Sequence, residues 1–213
     1  MSMSGPALGD FVRSSMGFPL PLSTQLNGWG TAVVTHIQTS AIVTHAPGTV
    51  TGTAPPNGGA LSNGAADNGT ISGLSGSVLA SLVASDAGYG YVTGRLQTFC
   101  DDIVAHIQTY GRVQFATGNI VGSCSNTTGT DGTLTGTGHD GFVKNLNGSI
   151  LASTIHADVG YPGSVSGRLN EFCTAFVTYI MANAVVTHTN VTAICPAGGG
   201  DIIDGQATNG TVA

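Results

Sequence analysis

The chain has 213 residues, a length that suits one large domain or a few small units sharing a core. Only 8% of the residues are charged, and 11 acidic against 5 basic side chains leave a net charge of −6 with histidine neutral. Binding to a nucleic-acid backbone needs clustered Lys and Arg, so this composition argues against a nucleic-acid partner.

The start of the chain lacks a basic end followed by an apolar run, so no secretory signal is expected. No apolar stretch reaches the roughly 20 residues that span a bilayer, so no membrane partner is expected. The hydrophobic residues, 41% of the chain, fall in periodic clusters, which indicates a folded protein and not a disordered one.

The helices follow one plan along the chain. Short helices are predicted near 6–15, 75–86 and 148–158, and each is followed by a longer helix with apolar residues at steps of three and four. Thr93 and Ser166 directly precede two of the long helices and are predicted to be N-caps. The predicted apolar stripes consist of Leu26, Trp29, Val33, Ile37, Leu96, Phe99, Ile103, Ile107, Leu169, Phe172, Phe176 and Ile180.

A pair of short β segments is predicted after each long helix, because β-branched residues alternate there with polar ones. The predicted pairs are 48–51 with 69–72, 119–121 with 132–135, and 190–192 with 210–212. The joining loops, 53–68, 123–131 and 195–207, are rich in Gly, Asn and Pro. Loops of this kind are where a binding function is displayed.

The recurrence of these elements reflects an internal repeat. The segment LSGSVLAS at 74–81 matches LNGSILAS at 146–153, and HIQT at 36–39 matches the same letters at 106–109. The sequence therefore predicts three tandem copies, 1–73, 74–145 and 146–213, packed as one compact unit.

The predicted fold class is α+β, with each copy contributing helix, helix, strand and strand. A single hairpin is marginally stable, and a single amphipathic helix leaves its apolar stripe exposed. Three copies around a pseudo-threefold axis would bury all three stripes together, whereas a linear stack of copies is the alternative. We favour the ring, because three copies close a ring more naturally than they form a solenoid.

The four cysteines follow the repeat. Cys100 and Cys173 occupy the same helix position, and Cys124 and Cys195 both come just after the first predicted strand of their copies. Copy one lacks both members, as expected if they pair, so disulfides Cys100–Cys124 and Cys173–Cys195 are predicted. The alternative is four buried thiols, which a protein without a secretory signal keeps reduced.

Four of the six histidines fall into two repeat-equivalent sets, and neither set supplies the three like ligands that a metal on a threefold axis would need. We therefore predict no metal and no other cofactor. The sets are His36, His106 and Tyr179, and His45, Phe115 and His188.

No constellation of catalytic residues is present in the sequence. Asp101 and Asp102 are adjacent on a helix and diverge by about 100°, so they are predicted to form a solvated face and not a paired carboxylate site. No Gly-x-Ser-x-Gly motif follows a strand. An enzyme is not expected, and neither is a small-molecule substrate.

A neutral surface rich in Gly and Thr, on an internally threefold unit, resembles the accessory virion proteins of tailed bacteriophages. These include capsid cement or decoration proteins and components of the tail or neck. The resemblance implies a non-enzymatic structural protein that reinforces a lattice, with copies of itself and capsid or tail proteins as partners. It also implies a location in the virion after assembly in the host cytoplasm.

The alternative function is a glycan-binding or adhesive module with the loops 53–68, 123–131 and 195–207 as its binding surface. The single tryptophan, Trp29, is predicted to be buried in a helix, which argues against a sugar platform. Tyr89, Tyr91 and Tyr161 keep this alternative open.

Overall fold

The computed structural model describes residues 3–18 and 23–213 of the chain. It combines helices and strands, so the predicted α+β class is confirmed. The helices are α1 (Gly5–Ser15), α2 (Thr24–Ser40), α3 (Gly76–Asp86), α4 (Gly94–Tyr110), α5 (Gly148–Asp158) and α6 (Gly167–Asn183). The strands are β1 (Ile42–Ala54), β2 (Gly59–Ala60), β3 (Ser62–Ser72), β4 (Arg112–Phe115), β5 (Ile120–Cys124), β6 (Gly132–Lys144), β7 (Val185–Cys195), β8 (Gly200–Asp201) and β9 (Ile203–Val212).

The chain divides into two compact units, and each unit takes one stretch from each third of the sequence. The helical unit contains the described residues up to Ala41 together with Gly73–Gly111 and Asn145–Ala184. The strand unit contains Ile42–Ser72, Arg112–Lys144 and Val185–Ala213. No helix in the described parts of the chain is long and apolar enough to cross a membrane.

The six helices of the helical unit form a closed ring, in which each contacts the next in chain order and α6 contacts α1. The short helices lie close to the long ones because each begins with a glycine at the contact, where a Cβ atom would overlap the partner helix. The contacts are Gly5 with Thr31, Gly76 with Asp101, and Gly148 with Thr174.

The long helices begin where their capping residues predict. The side chains of Thr93 and Ser166 accept hydrogen bonds from backbone amides three residues later, at 3.1 and 3.2 Å, so both predicted N-caps are confirmed. Ser23 caps α2 in the same way at 3.2 Å.

The predicted apolar stripes are buried in their middle and C-terminal parts, where Val33, Ile103 and Phe176 are examples. The first turns of the stripes differ, because Leu26, Leu96 and Leu169 are only half-buried. The stripes therefore hold the helical unit together over most of their length and leave apolar surface at the N-terminal ends of the long helices.

Six strands of the strand unit close into an antiparallel barrel in the order β1, β3, β4, β6, β7 and β9. The β6–β7 and β9–β1 pairings complete the circle. β5 extends the pairing along β6, while the two-residue strands β2 and β8 pair with β5 and β1.

The strands are longer than the sequence predicted, and the predictions of the 53–68 and 195–207 loops were wrong. Residues 203–207 belong to β9. Residues 62–68 belong to β3, so the connection shortens to 55–61 and itself contains β2. The segment SNGAADNG has a weak preference for extended structure. It is held as a strand because β3 pairs with β1 on one side and with β4 on the other.

The disulfide pairing predicted from the sequence was also wrong. The structure contains one disulfide among the described residues, between Cys124 and Cys195, while Cys100 and Cys173 are buried free thiols. Cys124 and Cys195 end β5 and β7, which pair with β6 on its two sides, opposite Leu134 and Gly132. The bond therefore joins equivalent strand ends of two hairpins and not a helix to a strand.

A packing constraint explains why the first third of the chain lacks a cysteine at the helix position. Gly30 stands at the helix position of Cys100 and Cys173, and a Cβ atom there would overlap the carbonyl oxygen of Gly5 on α1. Ala54 ends β1 as the cysteines end β5 and β7, and it is buried.

We expect peptide mapping under non-reducing conditions to recover one cross-linked pair, containing Cys124 and Cys195. Cys100 and Cys173 should react with an alkylating reagent only after unfolding, because both are buried. Cys124→Ala/Cys195→Ala should lower the free energy of unfolding by up to about 4 kcal/mol through lost loop-closure entropy. A peptide that links Cys100 to Cys124 would contradict this pairing.

Candidate functional site

Aromatic residues of the three stripes meet in a cluster near the half-buried N-terminal ends of the long helices. The ring of Trp29 lies 4.8 Å from that of Phe172 and 5.8 Å from that of Phe176, measured between centroids. Phe99 contacts Phe172 with a centroid distance of 5.8 Å. Tilted contacts of this kind stabilise aromatic clusters beyond the area they bury.

A cavity of about 560 Å³ adjoins this cluster, and we call it the aromatic cavity. Its apolar wall includes Trp29, Phe99, Phe172 and the first-turn leucines Leu26 and Leu96. The structure thus brings five of the predicted stripe residues together around one space.

More exposed aromatic side chains complete the lining of the aromatic cavity. Phe18, Tyr89 and Tyr161 follow the short helices, and Tyr91 lies just before α4. Tyr91 is the most exposed of the four, with 72% of its surface accessible. A smaller cavity of about 310 Å³ shares Tyr161 and is also lined by His156 and Leu169.

Polar and charged groups are few around the aromatic cavity. Arg95 is the one charged side chain among the described lining residues, and Ser23, Gln25 and Thr93 add neutral polar groups. These residues all belong to the caps and first turns of α2 and α4.

One wall residue carries an unused hydrogen-bond donor. Trp29 is only 7% exposed, and its indole Nε1 has no acceptor among the described residues. A buried donor without an acceptor is uncommon in folded proteins and is a feature to explain.

Three buried polar side chains on the long helices bind the backbone at the start of a short helix. In the two histidine cases Nε2 accepts from an amide, so the ring is neutral, and burial lowers the pKa of both His36 and His106. The hydroxyl of Tyr179 accepts a hydrogen bond from the backbone amide of Ser4 and donates one to the carbonyl of the same residue. The pairs are His36 with Ser75 (3.0 Å), His106 with Asn147 (3.1 Å) and Tyr179 with Ser4 (2.9 Å).

The second histidine set meets inside the strand unit. The rings of His45, Phe115 and His188 lie 5.0 to 5.5 Å apart as a triangle. His45 Nδ1 and His188 Nε2 are 3.0 Å apart and share a hydrogen bond. Each ring lies against a glycine that leaves room for it: Gly69 under His45, Gly141 under Phe115 and Gly210 under His188.

The histidine pair is neutral in the folded protein. Burial, reinforced by neighbouring His188, lowers the pKa of His45 from 6.5 to about 4, and burial also lowers the pKa of His188. Because Phe115 occupies the third corner, the triangle lacks a third ligand. Among residues 3–18 and 23–213, no group of three or more His, Cys, Asp or Glu side chains is placed to hold a metal ion.

The prediction of a solvated acidic face on α4 was wrong for Asp102. Asp101 is exposed and accepts a hydrogen bond from Gln97 at 2.8 Å, but Asp102 is buried and its Oδ2 has no partner in the described structure. Burial, together with the nearby carboxylates of Asp158 and Asp101, raises the pKa of Asp102 to about 6. Sequence periodicity alone could not reveal that α5 packs against α4 at this point.

The three connections expected to display a binding function contact one another within the strand unit. The side-chain amide of Asn126 is buried and donates to the carbonyls of Pro55 and Pro196, each at 2.8 Å. Thr128 donates to Asn57, and the amide of Ala197 donates to Asp131. Much of the polar capacity of these connections is therefore used within the protein.

The exposed tyrosines that kept a glycan site open belong instead to the helical unit. Sequence reasoning noted these residues but did not place them with the ends of the stripes. The signal was present in the Gly-Phe and Gly-Tyr pairs that end the short helices at 17–18, 88–89 and 160–161.

A search of protein-family models, of curated proteins and of solved structures finds no match to this chain. The function must therefore be inferred from the residues and contacts described above.

Acid should destabilise the folded protein through the buried histidine pair. Below pH 6.5 the unfolded chain binds protons at His45 and His188 that the folded chain excludes, so stability falls as the pH drops from about 6.5 to about 4. The free energy of unfolding should fall by about 3 kcal/mol over this pH range through His45 alone. Urea unfolding at several pH values measures it.

Replacing both histidines by phenylalanine, the residue at the equivalent third corner, should remove most of this pH dependence. His139→Gln is the matched control, since His139 is exposed and outside the triangle. An unchanged loss of stability between pH 6.5 and pH 4 in His45→Phe/His188→Phe would contradict the assignment.

Asp102→Asn should stabilise the protein at pH 7.5. The folded chain holds a proton on Asp102 that the unfolded chain releases at lower pH, so stability falls as the pH rises from about 4 to about 6. The variant should raise the unfolding temperature by about 3 °C at pH 7.5 and have little effect at pH 4. Thermal unfolding of Asp101→Asn, an exposed neighbour, provides the control, and an equal gain in both variants would refute the buried-charge explanation.

Proposed function

We propose that the protein is a non-enzymatic structural component of a large assembly, of the kind that reinforces a viral capsid or tail lattice. We further propose that it consists of three equivalent helix–helix–strand–strand copies arranged around a pseudo-threefold axis. The observation that carries the proposal is that equivalent residues make equivalent contacts, three times, in a closed cycle.

The hydrogen bonds of the helical unit support this arrangement. His36 reaches the start of α3, His106 reaches the start of α5, and Tyr179 reaches the start of α1. Each bond leads from one proposed copy to the next, and the third leads back to the first. A linear stack would leave the first and last copies without this contact.

The strand unit offers independent support. His45, Phe115 and His188 come from the three proposed copies and lie at the corners of one triangle. The strand pairings β3–β4, β6–β7 and β9–β1 likewise join one copy to the next and close the circle.

The use of the ionisable groups favours a structural role over catalysis. The buried histidines bind backbone groups or each other, and burial raises the pKa of Cys100 and Cys173 to about 12, which leaves them unreactive thiols at neutral pH.

The surface suits permanent association. Both units expose large apolar side chains, among them Phe11 and Val78 in the helical unit and Ile42 and Ile203 in the strand unit. With few charges to oppose contact, such a surface favours lasting attachment to other proteins. A single chain with three equivalent faces would fit a local threefold site in a lattice, where separate copies would otherwise have to meet.

Purified particles of the virus that encodes the chain should contain it in a fixed ratio to the major lattice protein. Quantitative mass spectrometry across a density gradient, after a high-salt wash, measures the ratio. A non-structural protein of the same virus is the control and should separate from the particles. Particles that lack the chain entirely would overturn the proposal, and so would infected-cell lysates in which the chain occurs only as a free monomer.

A further inference from the structure

We propose that the aromatic cavity binds a small, planar, apolar molecule that carries an anionic group, such as an aromatic carboxylate or sulfonate. This goes beyond the structural role proposed above and does not depend on it. The inference rests on the size and aromatic lining of the cavity and on the position of the one charged side chain in its described lining.

The size and lining of the cavity suit a small apolar ligand. Its volume of about 560 Å³ lies within the range of about 300 to 1,000 Å³ that is typical of such sites. The wall formed by Trp29, Phe99 and Phe172 offers ring faces and edges against which a planar molecule can stack.

The wall also contains a hydrogen-bond donor without an acceptor. Trp29 is 93% buried, lines the cavity and leaves its indole Nε1 unpartnered among the described residues. The nitrogen itself is enclosed within the wall, and none of the described residues supplies an acceptor for it.

Charge favours an anion at the opening. Arg95 is the one charged group in the described lining, and it stands in the first turn of α4. The N-terminal turn of α2 lies beside it, so two helix N-termini, which carry partial positive charge, face the same space. In a chain of net charge −6, this is a locally positive region without an acidic side chain in its described lining.

A neutral sugar fits the site less well. Sugars present hydroxyl groups in every direction, but the polar groups here are Ser23, Gln25, Thr93 and Arg95, at the start of two helices, and the phenol hydroxyls of Tyr89, Tyr91 and Tyr161. Most of the remaining lining is aromatic or aliphatic and would leave sugar hydroxyls without partners.

The test uses two fluorescent probes with the same aromatic body, 1-anilinonaphthalene-8-sulfonate and the uncharged N-phenyl-1-naphthylamine. Trp29 is the only tryptophan, so its emission and its single indole N–H resonance both report on the cavity. We expect saturable 1:1 binding of the sulfonate by the full chain, with quenching of Trp29 and a shift of the indole resonance.

Arg95→Gln should weaken binding of the sulfonate probe about tenfold and leave the uncharged probe unaffected, because one charge-assisted contact is lost. Lys144→Gln removes a cation from the strand unit and is the matched control. Tyr91→Ala should weaken both probes, whereas Tyr110→Ala, an exposed tyrosine outside the cavity, should weaken neither.

Circular dichroism first establishes that each variant is folded. Binding without saturation, or a Trp29 resonance that stays unchanged at saturation, would overturn the proposal. So would equal affinity of the sulfonate for Arg95→Gln and Lys144→Gln. A neutral oligosaccharide that shifts the indole resonance where the sulfonate does not would replace the proposed ligand class with a glycan.

Discussion

A β-hairpin leaves two backbone edges unpaired, and the structure of the strand unit follows from how these edges are satisfied. The hairpins are the antiparallel pairs β1–β3, β4–β6 and β7–β9. Each hairpin pairs with the next through β3–β4 and β6–β7, and β9 pairs back to β1. Closure removes the open edges that would otherwise bind other chains. It also brings equivalent positions together, so the ends of β5 and β7 lie on either side of β6 and their cysteines can bond.

The same requirement for satisfied backbone groups explains the exchange of histidine for tyrosine on the long helices. The amide at the start of each short helix has no partner within its own helix. A side chain on a long helix supplies the acceptor, either a neutral imidazole Nε2 in His36 and His106 or a phenol oxygen in Tyr179. This position on the long helices therefore needs a ring whose acceptor atom can reach the backbone amide, and both histidine and tyrosine provide one.

Local patterns in the sequence were enough to predict the helices, two of their caps and the fold class, because each depends on neighbouring residues. The cystine, the length of β3 and the burial of Asp102 depend on which distant segments meet, and periodicity carries no such information. The cysteine prediction failed for this reason: matching segments of sequence do not say which cysteines lie close in space, and Cys124 and Cys195 meet because their strands lie on either side of β6. The cavity was missed because the stripes were treated as uniformly buried, although their first two turns contain Leu26, Leu96 and Phe99, which are half-buried.

The lining of the aromatic cavity is asymmetric, and this asymmetry bears on what the cavity can bind. Gln25, Arg95 and Arg168 each follow the first residue of a long helix. Only Arg95 brings a charge to the lining, because Gln25 is neutral and the guanidinium of Arg168 lies over the ring of Phe18, 5.0 Å from its centroid. Such a cation–π contact orients the arginine on the aromatic face. The described lining therefore holds one charged side chain, so a charged ligand would meet one site per chain.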